Sequence, residues 1–405
     1  MLRYFKSFYT IIFVTLIFGY NPPKKAEPIN ISYEKFELSN GLDVILHEDH
    51  SIPMVSVNMW YHVGSKNEKP GRTGFAHLFE HLMFEGSKHH NYNFTQPLEE
   101  VGGNDNGSTS TDRTNYWTNV PSDQLELALW LESDRMGFLL DVMTQDKLDN
   151  QRDIVKNEKR QNYDNKPYGR AWAIIPEMMF PSDHPYHWIP IGSMEDLSAA
   201  SLDDVSDFFK KYYIPNNASL CIAGDIDIEE TKILVEKYFS SIPSGNPVDR
   251  LESQAVSLDG TSRKTIYDNV SAGMLIYGWH SPALYSKGDA ELDHLANILT
   301  ESKVSRLYKS LVYEQQLAQE VEAFQWSREI GSTFHIMVTA KEGHSLEEIE
   351  EALNKELQEI VKMGISHKEL EQSKTQWEAR FIRGLEQIGG FGGKADILNG
   401  YNGFS

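Results

Sequence analysis

Cysteine is almost missing from this 405-residue chain: Cys221 stands alone, which excludes any internal disulfide. It lies in the apolar run Ser219-Leu220-Cys221-Ile222-Ala223, where a buried, inert thiol is expected. Positive charge is scarce as well. Thirty-eight Lys and Arg face 59 Asp and Glu, for a net charge of −21. That balance argues against nucleic-acid binding and fits either plain solubility or a preference for basic peptides. An apolar run of the roughly 20 residues that a membrane helix needs is also lacking. The run at 8–18 is shorter, follows Arg3 and Lys6, and reads as a secretory signal. Neither a small-x-small signature nor a lipid-accepting cysteine follows it. Export to a bacterial periplasm and an uncleaved membrane tether therefore both stay open, and residues 1–28 are set apart from the fold. Gly389-Gly390-Phe391-Gly392-Gly393 has no Lys-Ser/Thr after it, which excludes a phosphate loop and suggests a flexible connection near a helix end. Forty per cent apolar residues exclude a disordered chain, and the length suffices for two domains with full cores.

What is present is concentrated in His77-Leu78-Phe79-Glu80-His81. His77 and His81 stand four residues apart, so on a helix one side chain lies above the other. Two neutral imidazoles so placed can share one Zn2+. Glu80 lies beside the pair, able to reach a metal-bound water without being a ligand. This is the H-x-x-E-H pattern, the inverse of H-E-x-x-H. Five residues alone fit a solvated helix face or a satisfied core histidine as well as a metal site. The flanks shift the balance. Gly71-Arg72-Thr73-Gly74 is a loop with Thr73 as candidate N-cap. Phe75, Ala76, Leu78, Phe79, Leu82, Met83 and Phe84 then make the helix apolar nearly all round. Such a helix is buried, and imidazoles and a carboxylate in a core are costly unless satisfied. A metal satisfies them. His89-His90, on the polar loop beyond, reads as solvent-exposed.

A catalytic zinc takes three protein ligands and leaves a fourth position to water. The candidate third ligand is Glu158, in the helix-like stretch 148–160 whose apolar side carries Leu148, Ile154 and Val155. Taken by itself, Glu158 belongs to the wet face of that helix.

Further stretches run in a recognisable order: Leu38-Ser39-Asn40-Gly41-Leu42, Gly74-Phe75-Ala76-His77, Val101-Gly102-Gly103, Thr114-Asn115-Tyr116, Asn165-Lys166-Pro167-Tyr168-Gly169 and Tyr213-Ile214-Pro215-Asn216-Asn217-Ala218. With the motif, they resemble the pitrilysin/insulinase family of zinc metallopeptidases, the inverzincins, over residues 31–400. That family pairs the inverted motif with a glutamate ligand on a downstream helix, and Glu158 follows His81 with 76 residues between. The resemblance implies that His77, His81 and Glu158 hold Zn2+. Glu80 is then the general base, taking a proton from the zinc-bound water as it attacks a peptide carbonyl and passing it to the leaving nitrogen. Many relatives carry a helper glutamate two helical turns before the ligand glutamate. Gln151 stands there in this chain, able to orient a neighbour by hydrogen bonding but carrying neither charge nor proton. The Gly-Gly turn and Ser/Thr run at 102–111 suggest an exposed strand that could take an extended peptide as an added strand. In relatives this strand receives the substrate beside the metal, so Asn106, Gly107 and Ser108 are the expected substrate contacts. An ordinary surface hairpin is the alternative.

The fold class expected is α+β, with strands followed by helices, twice. The family's architecture implies two homologous α/β units, each a mixed, largely antiparallel sheet packed with helices, forming a clam-like pair of halves. Residues 31–247 would carry the zinc site, 248–261 the linker, and 262–405 a second unit without metal ligands. A hairpin spans 36–46, a strand 54–63, and another 114–120. Helices are expected at 74–86, 94–101, 123–139, 145–163, 170–178, 202–212 and 228–240. In the second unit the strand at 272–282 and the helix at 289–300 parallel the strand and helix of the motif, but His294 stands alone and reads as structural. His184-Pro185-Tyr186-His187-Trp188 matches a family loop of conformational character.

Two departures from the family stand out. Single-chain relatives carry an Arg and a Tyr in the second unit that help bind substrate, whereas Val312 and Gln319 occupy those places here. The expectation is a heterodimer with a homologous subunit that supplies them. The second unit is also shorter than the first, as a fragment would be. A zinc endopeptidase is the leading reading, against a catalytically silent assembly subunit and a structural zinc site. The first alternative sits poorly with four intact site residues, and the second lacks a fourth ligand.

Overall fold

Alternating apolar residues build the first sheet, and a tight turn at Gly41 starts it. Gly41 has φ of 86°, and a Cβ there would strike Asn216 at 2.6 Å, so only glycine fits. The computed structural model describes residues 29–253 and 256–404; the expected signal or anchor segment lies outside the described residues. Strands β1 (Glu34–Glu37), β2 (Asp43–Glu48), β3 (Met54–Tyr61), β4 (Asn104–Thr109), β5 (Thr114–Pro121) and β6 (Ala218–Gly224) form one sheet in the order β1-β2-β6-β3-β5-β4. Only β2 and β6 run parallel; the other pairs are antiparallel. The sheet is therefore mixed and largely antiparallel, and β4 is left on its edge.

Eight helices accompany that sheet: α1 (Phe75–Leu82), α2 (Gln96–Glu100), α3 (Leu125–Phe138), α4 (Gln145–Lys159), α5 (Gly169–Met179), α6 (Met194–Ala199), α7 (Leu202–Tyr212) and α8 (Ile228–Phe239). A π turn, Arg160–Asp164, extends α4. Side chains of β3 alternate between two faces. Val55, Val57, Met59 and Tyr61 enter the main core, with Phe75, Leu78, Phe79 and Leu82 of α1. Each such side chain contributes about 1.5–3 kcal/mol on full burial, so the apolar residues anchor the motif helix to the core.

The second sheet has the order β7-β9-β8, from β7 (Met274–Ser281), β8 (Ala318–Trp326) and β9 (Ser332–Ala340), with α9 (Asp289–Thr300), α10 (Leu346–Met363) and α11 (His367–Gly384). Its core gathers Leu299, Leu307, Leu311, Phe334, Ile336, Val338, Ile349 and Leu353. Val312 packs against that core, while Gln319 is exposed at a register shift in β8. His294 Nδ1 meets Ser373 Oγ at 2.9 Å, a local contact within this half.

Helix α12 (Lys394–Phe404) crosses back to the other face of the first sheet. Asp396 accepts from Asn115 Nδ2 at 2.8 Å and Trp60 Nε1 at 3.3 Å. Asn399, fully buried, donates to the Asn58 and Ser219 carbonyls at 2.9 and 3.0 Å. The glycine run before α12 is not simply flexible. A Cβ at Gly389 would lie 1.9 Å from Asn119 Oδ1 and 2.4 Å from Ser56 Oγ, so glycine there lets the backbone lie directly on the sheet.

Candidate metal centre

Helix α1 starts without the expected Thr73 cap. Its N-cap is Gly74, at φ 87° and with no side-chain cap. Thr73 Oγ1 donates instead to Asp196 Oδ2 at 2.5 Å. The orphan N–H groups of α1 go to a remote carboxylate: Glu68 accepts from Gly74 N at 3.0 Å and Ala76 N at 2.8 Å, and from Trp188 Nε1 at 3.0 Å. Burial pushes the Glu68 carboxyl up to about 8 against these hydrogen bonds, so the cap works by accepting hydrogen bonds rather than by carrying charge. His77, Glu80 and His81 follow on the next turns.

The two helices α1 and α4 bring His77, His81 and Glu158 together. Glu158 Oε2 lies 3.6 Å from His77 Nε2 and 3.4 Å from His81 Nε2, and the three ligand atoms fall within 4.8 Å of one another. An ion about 2.0–2.1 Å from each of three tetrahedral ligands separates those ligands by about 3.4 Å. The donor set, two imidazole nitrogens and a carboxylate oxygen, suits zinc. No other group of three or more His, Cys, Asp or Glu side chains so placed occurs among the described residues. Electrostatics favour a cation at this point. Burial, and secondly the neighbouring His81, hold the His77 imidazole down to about 4, leaving it neutral with a free lone pair. Hydrogen bonding to His81, against the opposing effect of burial, holds the Glu158 carboxyl below its ordinary range. Burial pulls His81 down, but Glu158 and Glu80 outweigh it and leave the ring raised.

Glu80 adjoins this trio without joining it. Burial pushes its carboxyl up, opposed by a hydrogen bond from Thr109. Thr109 Oγ1 donates to Glu80 Oε2 at 2.6 Å. Gly107, two residues earlier on the same face of β4, leaves room for Glu80: a Cβ there would sit 3.1 Å from Glu80 Cγ. Asn106 lines the small cavity that also holds His77, Glu80, His81 and Glu158. Ser108 turns elsewhere, its hydroxyl donating to Asn115 Oδ1 at 2.7 Å and its carbonyl accepting from Arg113 Nη1 at 2.8 Å.

Sequence reasoning missed Thr109 and Asn162. Period-two alternation from Gly107 would have indicated Thr109. Asn162 Nδ2 donates to Glu158 Oε1 at 3.3 Å, leaving Oε2 to face the imidazoles. Its spacing from Glu158, four residues, was the available signal. His89 and His90 stay outside the trio: His89 Nδ1 pairs with the buried Asp134 and His90 Nε2 meets Asn93 O at 3.2 Å. His184 Nδ1 accepts from Tyr186 N at 3.0 Å, a local loop contact.

The small cavity lined by His77, Glu80, His81 and Glu158 holds about 410 Å³. A wider one of about 1070 Å³ shares His77 and Glu158 with it and is walled by Trp60, Trp172, Trp188 and Trp326, with Tyr401 of α12. Both open beside the edge strand β4.

Comparison with known proteins agrees with this architecture. A profile described as "Insulinase (Peptidase family M16)" matches residues 43–179, and one described as "Peptidase M16 inactive domain" matches residues 199–377. The zinc protease PqqE of Helicobacter pylori is 29% identical over 365 residues, covering 87% of this chain and 80% of that protein. An uncharacterized zinc protease of Bacillus subtilis, YmxG, is 24% identical over 357 residues, covering 87% and 84%. Among solved structures, a protease from Helicobacter pylori superimposes with a TM-score of 0.79 at 28% identity, covering 91% of this chain and 88% of that one. Pitrilysin, at 19% identity and a TM-score of 0.68, shares the fold over 85% of this chain and 38% of its own. This chain belongs to the insulinase family of peptidases, family M16.

Proposed function

We propose that this chain is a zinc-dependent endopeptidase that hydrolyses peptides or small unfolded polypeptides. The observation that carries the reading is the convergence of His77, His81 and Glu158 from two helices, with Glu80 alongside and no fourth protein ligand in the group. A catalytic zinc keeps an open position in this way, whereas a structural one is closed. Zinc bound by these three residues supplies a water of lowered pKa and polarises the scissile carbonyl. The rest falls to side chains and backbone. The edge of β4 receives an extended peptide as an added strand, with Asn106 lining the cavity of the ligand trio and Gly107 against Glu80. Glu80, held at one oxygen by Thr109, takes the proton of the attacking water and returns it to the departing nitrogen. Burial raises its carboxyl above the ordinary range, the direction that favours a group which both accepts and releases a proton.

Two further parts belong to the proposal. A homologous partner subunit supplies the Arg and Tyr that relatives use, because Val312 and Gln319 stand in those places. The chain is exported, a reading that rests on the basic and apolar pattern at 3–18; no helix among the described residues is long and apolar enough to cross a membrane.

The test is zinc content, with cleavage of a quenched fluorescent peptide with and without chelator, for wild type and Glu80→Gln. The account expects one zinc per chain in both proteins, chelator-sensitive cleavage in the wild type and lost cleavage in the variant. Unchanged cleavage by Glu80→Gln removes Glu80 from the reaction.

A further inference from the structure

His81 can offer Nε2 to a metal only when its own proton sits on Nδ1, so whatever faces Nδ1 must accept that proton's hydrogen bond. The group there is the Gln151 amide, its Oε1 at 3.2 Å from His81 Nδ1. An amide is an ambiguous partner. Rotated half a turn, it presents NH2 and rewards the other tautomer, with the proton on Nε2 and no lone pair for a metal. A carboxylate at this position would need no such control, because it only accepts.

The far end of the same amide meets Glu85. Gln151 Nε2 donates to Glu85 Oε1, and Glu85 is four residues beyond His81, just past the end of α1. Both residues wall the small cavity that contains the ligand trio. An ionised carboxylate has no proton to give, so it admits only the NH2 end of the amide. The carbonyl end must then point at His81.

We propose that Glu85 is a positioning residue for the metal site: it orients the Gln151 amide and thereby keeps the His81 Nε2 lone pair free. The inference rests on the reading of His77, His81 and Glu158 as metal ligands. It divides between two side chains the task that one carboxylate performs alone, with the negative charge moved one hydrogen bond outward.

Zinc affinity, measured by competition with a chromophoric chelator on the full chain, tests it in a double-mutant cycle. Gln151→Leu removes the acceptor and is expected to weaken binding by roughly 10–100-fold, as outer-shell changes do. Glu85→Gln leaves the amide free to turn and is expected to weaken binding by about 10-fold. In the Gln151→Leu background, Glu85→Gln is expected to do nothing more. The pair Glu85→Gln with Gln151→Glu, which restores an acceptor-only group against His81, is expected to recover wild-type affinity. Glu85→Gln binding zinc as tightly as wild type overturns the proposal. So does an undiminished Glu85→Gln effect in the Gln151→Leu background, since Glu85 would then act as a charge and not through the amide. Wild type that binds no zinc is a different failure, because it removes the metal site itself and the proposal with it.

Discussion

Replacing Glu68 by alanine tests how the motif helix is held. Glu68 is only 8% exposed and accepts three hydrogen bonds, from Gly74 N, Ala76 N and Trp188 Nε1, at 2.8–3.0 Å. Each buried donor left without a partner costs about 1–3 kcal/mol, so the gross loss is about 3–9 kcal/mol. Two effects reduce it. A water entering the vacated space can satisfy part of the set, and the variant no longer keeps a carboxylate out of solvent. A net loss of about 3–5 kcal/mol remains, and it falls on the first turn of α1, where His77 begins the proposed metal site. Thr73→Ala, which loses the bond to Asp196 and that from Ser193 N, should cost about 1–2 kcal/mol. Urea unfolding of the three proteins, with zinc content measured alongside, provides the comparison. Glu68→Ala within about 1 kcal/mol of wild type, or a larger loss from Thr73→Ala, would refute the remote cap and restore Thr73 as the residue that starts the helix.

Thr109→Val keeps the shape but removes the hydrogen bond to Glu80; a bond to a charged group is worth about 1.5–3 kcal/mol, so kcat should fall by roughly 10-fold or more with zinc content unchanged, as steady-state kinetics would show. Gly107→Ala places a methyl 3.1 Å from Glu80 Cγ and from Tyr116 Cδ1; the expected result is a folded protein that binds zinc and cleaves peptide poorly, and full activity would show that β4 and Glu80 have slack. The acid response should follow two shielded histidines, the buried His335 and the half-buried His62. Burial, and secondly Arg250, hold His62 down to about 3, and burial with Arg328 holds His335 down to about 4. Both values lie below the unfolded value of 6.5, so the unfolded chain binds more protons and stability falls as pH drops below 6.5. Each histidine contributes up to about 1.4 kcal/mol per pH unit, and His335→Gln should flatten the stability slope between pH 6 and 4 by about that amount.

What sequence alone could and could not reveal follows the reach of each interaction. The H-x-x-E-H segment was legible because its chemistry is local: helical spacing stacks His77 on His81 whatever surrounds them. The helix Asp289–Thr300 was legible for the same reason. Glu158 was legible only through family resemblance, since nothing in its own helix separates it from its solvated neighbours. Glu68 was not legible, because it caps α1 across an intervening loop while Thr73 offered the standard local cap. The Glu85–Gln151 pair and the placement of α12 on the first sheet depend on long-range packing, which no residue periodicity records. The motif helix was read four residues too long, to 86, because Met83 and Phe84 continue its apolar pattern; the chain turns at Gly86, φ 90°, where a Cβ would strike Tyr92 O at 2.5 Å.

Zinc-edge absorption on the purified chain, set beside its Glu158→Gln variant, bears most directly on the whole account. The account predicts one zinc per chain with two imidazoles and one carboxylate in its inner shell, and an affinity loss in the variant beyond the roughly 10–100-fold of outer-shell changes. A variant that keeps wild-type affinity, or a zinc whose inner shell lacks either imidazole, would contradict it.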